Sequence, residues 1–342
     1  VNGAVSDRLD MVYGVYLVKW YETYKRDKLS VSSRLNYATA INKHIMPVFG
    51  DRQMRAIRSA EIQAFLNSKA GMCKTALGDM YSILYNTFTR ATAEGIIDRN
   101  PALGVTRPAA EREKRRALTD AETNAVLSVA QTHPDRLLLM LLYYTGMRRG
   151  EVLGLQWRDV DFDAGIIHVC RDMDFAINDL GELKTPSSRR SIPLPPALIE
   201  ALEAVRGIGA TPVIQSPQNH THWPQATFVR HWKALAIALY DEDSSIEATQ
   251  LGTRTGKDGK PIPIMGSILT AHYFRHNYAS ILYNAGVDVL AAQKILGHAD
   301  VKTTLSIYSH LGAQKEAESH AAILKAFGAK NEKLPKSCRK KK

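Results

Sequence analysis

The sequence predicts a mainly α-helical protein with a small antiparallel β-sheet, divided into two domains. Three observations carry that expectation. Residues 9–98 show apolar side chains at helical spacing and no strand pattern, whereas strand-like stretches appear only later, between about 165 and 194. The 342-residue length is enough for two cores. Charge is unevenly spread: residues 1–117 carry +8, residues 118–329 carry −3 and residues 330–342 carry +6, within a total of +11. A basic front and a basic tail on a nearly neutral body point to nucleic acid as the partner of the front domain. Short Lys-rich tails are in general more often solubilising ends.

The front domain is placed at 1–106. Its first helix runs through Met11, Val15, Leu17, Val18 and Tyr21 as an apolar stripe. A second helix, Ser32 to Ile45, is expected to stop at Met46-Pro47, because proline disfavours helix in the residue before it. A third follows Ser59 as N-cap and buries Ile62, Phe65 and Leu66. A longer one spans about Lys74 to Gly95, ahead of the breaker Asn100-Pro101. Residues 107–117, rich in charge and without an apolar face, read as a linker. Residues 118–328 form the second domain and 329–342 the tail.

In the second domain Thr119-Asp-Ala-Glu122 is a capping box. Leu137–Tyr144 is a buried helix, too short for the roughly 18 residues of a membrane span, so no membrane partner is expected. Gly165–Arg171 reads as a strand, and 182–185 with 189–194 as a hairpin around Pro186-Ser-Ser188. A helix returns after Pro196 with Leu198, Ile199, Leu202 and Val205 on one side. Residues 241–262, polar and glycine-rich, read as a loop or ribbon, and helices resume near Thr270. The opening VNGAVSDRLD has no signal-peptide pattern and no Met, as in a piece of a longer protein. Cys73, Cys170 and Cys338 are widely spaced and suit a reducing cytoplasm.

The chemistry-bearing residues fall in a few stretches. AHYFRHNYAS (271–280) puts His272, Arg275 and His276 on one helical face. A zinc-hydrolase helix would have Glu where Tyr273 stands, and the nearest following acid is Asp288, so an anion suits the set better than a metal. Arg275 lies one turn from His272, so both can reach the same anion. TGMRRGE (145–151) breaks after the apolar helix and sets Arg148 at a new helix start, where unpaired N–H groups favour anions. LGHADVKTTLSIYSH (296–310) brings His298 and, ten residues on, Tyr308.

These motifs, with LKTPSSRRSIPL (183–194), stand in the order found in tyrosine recombinases, and the resemblance covers about residues 9–328. LQWRDVDFDAGIIHV (155–169) resembles the phage and conjugative-transposon integrase branch, in which a small arm-binding domain commonly precedes the part matched here. The resemblance implies a C-shaped clamp of a helical core-binding domain and a catalytic domain. It also implies integration or excision of a mobile element through a 3′-phosphotyrosyl intermediate and a Holliday junction.

Carried over position by position, Arg148 and Arg275 grip the phosphate and Lys184 protonates the leaving 5′ oxygen. His272 transfers a proton, His298 hydrogen-bonds the phosphate, and Tyr308 is the nucleophile. Glu151 is placed to orient Arg148, and Arg190 to contact phosphate or act structurally; His276 and His310 flank the site. Lys25, Arg26, Lys28, Arg34, Lys43, Lys74 and Arg90 are candidate DNA-backbone contacts. The implied partners are double-stranded DNA, a self-assembled tetramer whose contacts include the segment Leu311–Phe327, and accessory DNA-bending or excision factors. No cofactor, metal or ATP is implied, and the expected location is the bacterial cytoplasm, on the nucleoid.

Elementary chemistry supports such a cationic site. A tyrosine of pKa about 10 costs roughly 4 kcal/mol to ionise at pH 7. Clustered cations lower that cost and stabilise a pentacoordinate phosphorus. The alternatives are a related enzyme that nicks and reseals DNA without exchanging partners, and a clamp that binds DNA without catalysis.

Overall fold

The computed structural model describes residues 11–109, 116–183, 186–216, 219–256 and 260–314, with side chains through Ser309 except that of Pro186. The chain forms two compact units, Val1–Lys114 and Arg115–Lys342. Among the described residues no helix is long and apolar enough to cross a membrane. The architecture is mostly helical with small antiparallel sheets, as the patterning requires.

In the first unit α1 is Tyr13–Tyr24, and the residues it buries are Tyr13, Gly14, Tyr16, Leu17 and Trp20. Val15 and Val18, expected on the apolar stripe, are 66% and 48% exposed. The aromatic rings won that contest: Tyr13 stacks on Phe88 at 4.8 Å and meets Phe49 edge-on. The second helix does not stop before Pro47. It runs through α2 (Val31–Thr39), a π segment at Ala40–Ile45 and α3 (Met46–Phe49). The wide turn, closed by Met46 N–H on Ile41 O, precedes the proline and eases its clash with the preceding turn.

Helix α4 (Ser59–Asn67) buries Ile62, Phe65 and Leu66, but Arg58, not Ser59, is its N-cap. Glu61 accepts from the Arg58 N–H, while the Ser59 hydroxyl donates to Pro101 O at 2.6 Å. Helix α5 (Lys74–Ala93) supplies the unit's spine with Leu77, Met80, Ile83, Leu84 and Phe88.

The second unit opens with α6 (Asp120–Thr132), closed at its start by the Thr119–Glu122 capping box. Helix α7 (Arg136–Thr145) buries Leu138, Leu139, Leu141 and Leu142, and α8 (Arg149–Leu153) follows after a tight break. Strands β1 (Val160–Asp161) and β2 (Ile166–Val169) form the sheet's first pair. A small hairpin, β3 (Asp172–Asp174) with β4 (Asp179–Gly181), comes next. Strand β5 (Arg190–Pro193) then joins β2 with Ile167 opposite Ile192, both fully buried.

The hairpin expected across 182–194 is therefore not the pairing found. Its second arm pairs with β2, because Ile192 and Ile167 share the core. Helix α9 (Pro196–Glu203) buries Leu198 and Leu202, leaving Val205 exposed beyond its end. Helix α10 (Gln225–Glu242) supports a ribbon of β6 (Ala248–Thr255) and β7 (Pro261–Ser267). Three helices finish the described fold: α11 (Ala271–Asn284), α12 (Val289–Leu296) and α13 (Val301–Gln314).

Candidate active site

The site is organised by the C-terminus of α12. A helix's last carbonyls have no partner inside it and sit at the negative end of its dipole. Three guanidinium groups take them up in succession. Arg190 Nε donates to Ile295 O at 2.6 Å, Arg275 Nη2 to Leu296 O, and Arg148 Nη2 to Gly297 O at 2.9 Å. Arg275 also donates to Gly146 O at 3.0 Å, so it bridges the C-terminal ends of α7 and α12.

Both helix ends need glycine. Gly146 and Gly297 have φ of 58° and 64°, the left-handed region. A Cβ on Gly146 would lie 2.6 Å from Tyr278 Cδ1, and one on Gly297 would lie 3.0 Å from Arg190 Cδ and Nη1. The Thr-Gly and Leu-Gly pairs thus let arginines reach the two helix ends.

Glu151 holds two of the arginines. Its carboxylate accepts from Arg148 N and Nη1, each at 2.7 Å, and from Arg190 Nη1 and Nη2 at 2.9 and 2.8 Å. Burial works to raise its pKa, but Arg190, Arg148 and the Arg148 N–H outweigh it and hold the carboxyl at about 2. The free N–H expected at the α8 start is therefore occupied by Glu151. Three guanidiniums against one carboxylate leave an excess of positive charge. Burial first, then Arg148, with Arg190 adding and Glu151 opposing, draws Arg275 down to about 9. An anion bound here would relieve that strain on its charge.

His298 follows Gly297 and is 8% exposed. Its Nδ1 lies 2.8 Å from Thr304 Oγ1. Burial, then Arg275, Arg148, Arg190 and His276, pushes its pKa down to about 3, so the imidazole is neutral at physiological pH. His272 is exposed on the first turn of α11, its ring edge-on to His276 at 5.1 Å. A cleft of about 480 Å³ is lined by Ser187, Arg189, Arg190, Ser191, Lys294 and His298.

Tyr308 is not brought to the arginines. Its hydroxyl donates to Val287 O at 3.2 Å and its ring meets Tyr283 edge-on at 4.9 Å. Val287 lies beyond the far end of α11, and about 14 Å of helix separates Arg275 from Asn284. Burial, then Asp288, raises the Tyr308 pKa. Lys184 and the segment 315–327 lie outside the described residues, as does the His310 side chain.

Arg190, expected among the DNA contacts, has a side chain only 4% exposed and is committed to Glu151, Ile295 and Ser188. It holds the site together and offers little to a ligand. In the first unit Arg26 pairs with Glu22, and Arg90 pairs with Glu94 while lying over the Tyr24 ring. Lys25 sits over Trp20 and Arg34 donates to Leu29 O, whereas Lys28, Lys43 and Lys74 are exposed.

Sequence reasoning missed Arg107, which stacks over Tyr81, itself stacked on Tyr85. Arg107 falls in the stretch read as linker from its high charge and lack of an apolar face; the Tyr81/Tyr85 spacing on one helix face is the available signal. It also missed Thr304. A small hydroxyl residue six positions after a histidine carries no signal until the fold brings the two together. Among the described residues no three His, Cys, Asp or Glu side chains form a metal-holding group.

The site so built gathers three guanidiniums around one helix end and one buried carboxylate. Comparison with known proteins carries this further. The Phage integrase family matches residues 116–315, and the phage integrase N-terminal SAM-like domain matches residues 13–70. The chain belongs to the phage integrase family, the tyrosine site-specific recombinases.

Among similar proteins, a tyrosine recombinase XerC-like protein of Caldanaerobacter subterraneus is 25% identical over 340 residues, covering 91% of this chain and 82% of that protein. The ICEBs1 integrase of Bacillus subtilis is 26% identical, covering 83% and 75%. Of solved structures, the Tn1549 transposon integrase in complex with transposon right end DNA superposes with a TM-score of 0.71 at 20% identity. That match covers 91% of this chain and all of the other. A lambda integrase dimer bound to a COC′ core site gives a TM-score of 0.61 at 20% identity, covering 90% and 80%.

Proposed function

We propose that Arg148 and Arg275 grip the non-bridging oxygens of one DNA phosphate, His298 donates a hydrogen bond to it, and Tyr308 attacks the phosphorus. The phenol oxygen forms a bond to phosphorus as the bond to the 5′ oxygen breaks. His272 takes the phenol proton, and Lys184 supplies a proton to the leaving oxygen. The product is a 3′-phosphotyrosyl linkage that conserves the phosphodiester energy, so rejoining to a second strand needs no ATP. Arginine suits the grip because its planar fork binds two oxygens and keeps its charge.

The observation that carries this reading is the convergence of three guanidiniums on the carbonyls of residues 295–297, with neutral His298 next in the chain. Attack requires the Tyr308 hydroxyl to exchange Val287 O for the phosphate, so the arrangement described is a resting one. The first unit, with Lys28, Lys43 and Lys74 exposed, contacts the DNA backbone beside the cleavage site.

The integrase relatives support a role in moving a genetic element. Four protomers exchanging strands through a Holliday junction extends the dimer seen for lambda integrase on its core site. Accessory DNA-bending or excision factors and a nucleoid location in a bacterial cell belong to the same reading. The test is incubation with a nicked suicide substrate followed by denaturing electrophoresis. Wild type should give a protein–DNA band that Tyr308→Phe and Arg148→Ala lack; a band of full strength from Tyr308→Phe refutes the proposal.

A further inference from the structure

Thr304 is fully buried on α13, and its hydroxyl oxygen lies 2.8 Å from His298 Nδ1. A helical threonine can turn its hydroxyl onto the carbonyl four residues back. Thr39, Thr87, Thr89, Thr92 and Thr145 all do so, to Leu35, Ile83, Tyr85, Phe88 and Leu141. Unlike the equally buried Thr87 and Thr145, Thr304 does not, and among the described residues its hydroxyl has His298 as its one hydrogen-bond partner.

The direction of that bond follows from accounting for both protons. If Nδ1 carried the ring proton, Thr304 would accept it and its own hydroxyl proton would be stranded in a dry interior, which is unfavourable. If Nδ1 accepts, every proton is placed. The ring proton then sits on Nε2, the nitrogen left for the cleft that His298 lines. The backbone is pinned as well: Gln293 Nε2 donates to His298 O at 3.0 Å, and His298 N donates to Gln293 O at 3.1 Å.

We propose that Thr304 is a positioning residue: its hydroxyl donates to His298 Nδ1 and holds the imidazole as the Nε2–H tautomer, so that a neutral ring presents a donor to the phosphate. This deepens the phosphate-contact reading of His298 and rests on it for its catalytic consequence. A neutral histidine in the other tautomer would turn a lone pair toward the phosphate oxygen and repel it. Among so many cations, a neutral donor is the form burial favours. One hydroxyl on α13 thereby sets which face of the site can receive an oxyanion.

The test pairs a spectroscopic readout with a kinetic one. Imidazole nitrogen chemical shifts of 15N-histidine-labelled full chain, with His298 assigned by difference from His298→Gln, should show Nε2–H in wild type. Thr304→Ser should keep that tautomer, and Thr304→Val should lose it. Single-turnover cleavage of a suicide substrate should fall about tenfold in Thr304→Val and recover in Thr304→Ser. Thr304→Val should add nothing in a His298→Ala background.

An Nδ1–H tautomer in wild type overturns the proposal even should Thr304→Val fail to fold. An unchanged tautomer in a folded Thr304→Val does the same. Full cleavage by His298→Ala would instead overturn the reading of His298 itself, leaving the tautomer result to decide the role of Thr304.

Discussion

Glu151→Gln removes the carboxylate that pairs with both Arg190 and Arg148 while keeping the side chain's shape. Glu151 is 2% exposed and the Arg190 side chain 4%, so the ion pair is screened little by water. Breaking a buried pair by removing one partner costs about 3–5 kcal/mol, because the other charge is left without compensation. In a unit of Arg115–Lys342, each kcal/mol corresponds to about 2–4 °C of melting temperature. The expected drop is therefore roughly 6–20 °C by differential scanning calorimetry. Arg190→Met should cost less, because Glu151 keeps its hydrogen bonds from Arg148 N and Nη1, and the double substitution should cost less than the two added together. A coupling of about 2 kcal/mol is expected from the cycle. Additivity within about 0.5 kcal/mol would refute the claim that Glu151 and Arg190 stabilise the unit as a pair.

Other outcomes follow from the same site. Arg275→Lys should lower single-turnover cleavage by about 10²–10³-fold with little change in DNA affinity, since one ammonium cannot reach both Gly146 O and Leu296 O; a loss below about tenfold in the cleavage assay contradicts that. Gly297→Ala should destabilise more than Gly286→Ala in chemical denaturation. Both have positive φ, but only at Gly297 does an added methyl meet Arg190, and equal losses would remove that contact from the explanation.

Stability should fall as pH drops from about 6.5 toward 3. Over that range the unfolded chain protonates His298 at its ordinary pKa while the folded chain, with the group held at about 3, does not. Glu151, held at about 2, adds a second loss below about pH 4.5. Thermal melts of His298→Gln should show a shallower decline between pH 6.5 and 5, and an unchanged slope counts against a buried neutral histidine.

Much of the fold was legible because local signals agreed with the tertiary outcome. Thr119–Glu122, the apolar run at 137–144 and the Gly146 break each state their structure in a few residues. Elements failed where packing decided between equal local options. Val15 and Val18 looked like core, but Tyr13, Tyr16 and Trp20 bury more area and took the inner face. Residues 189–194 looked like the arm of a local hairpin, yet Ile192 found Ile167 twenty-five positions earlier.

The candidate site divides in the same way. Residue types and spacing pointed to Arg148 and Arg275 as an anion site, and the family resemblance added His298. That Arg148, Arg190 and Arg275 gather on three consecutive carbonyls was not readable, since a helix end attracts guanidiniums only once the chain has folded. The burial of Arg190 and the hydrogen bond of Tyr308 to Val287 O were hidden for that reason too.

The most direct measurement is mass-spectrometric mapping of the covalent intermediate. The complex trapped on a suicide substrate is digested with nuclease and protease, and the peptide carrying the nucleotide remnant is sequenced. The expected result is a phosphodiester on Tyr308 alone, among the fourteen tyrosines of the chain. A remnant on any other residue, or a trapped complex from Arg148→Ala as abundant as that from wild type, would contradict the site described.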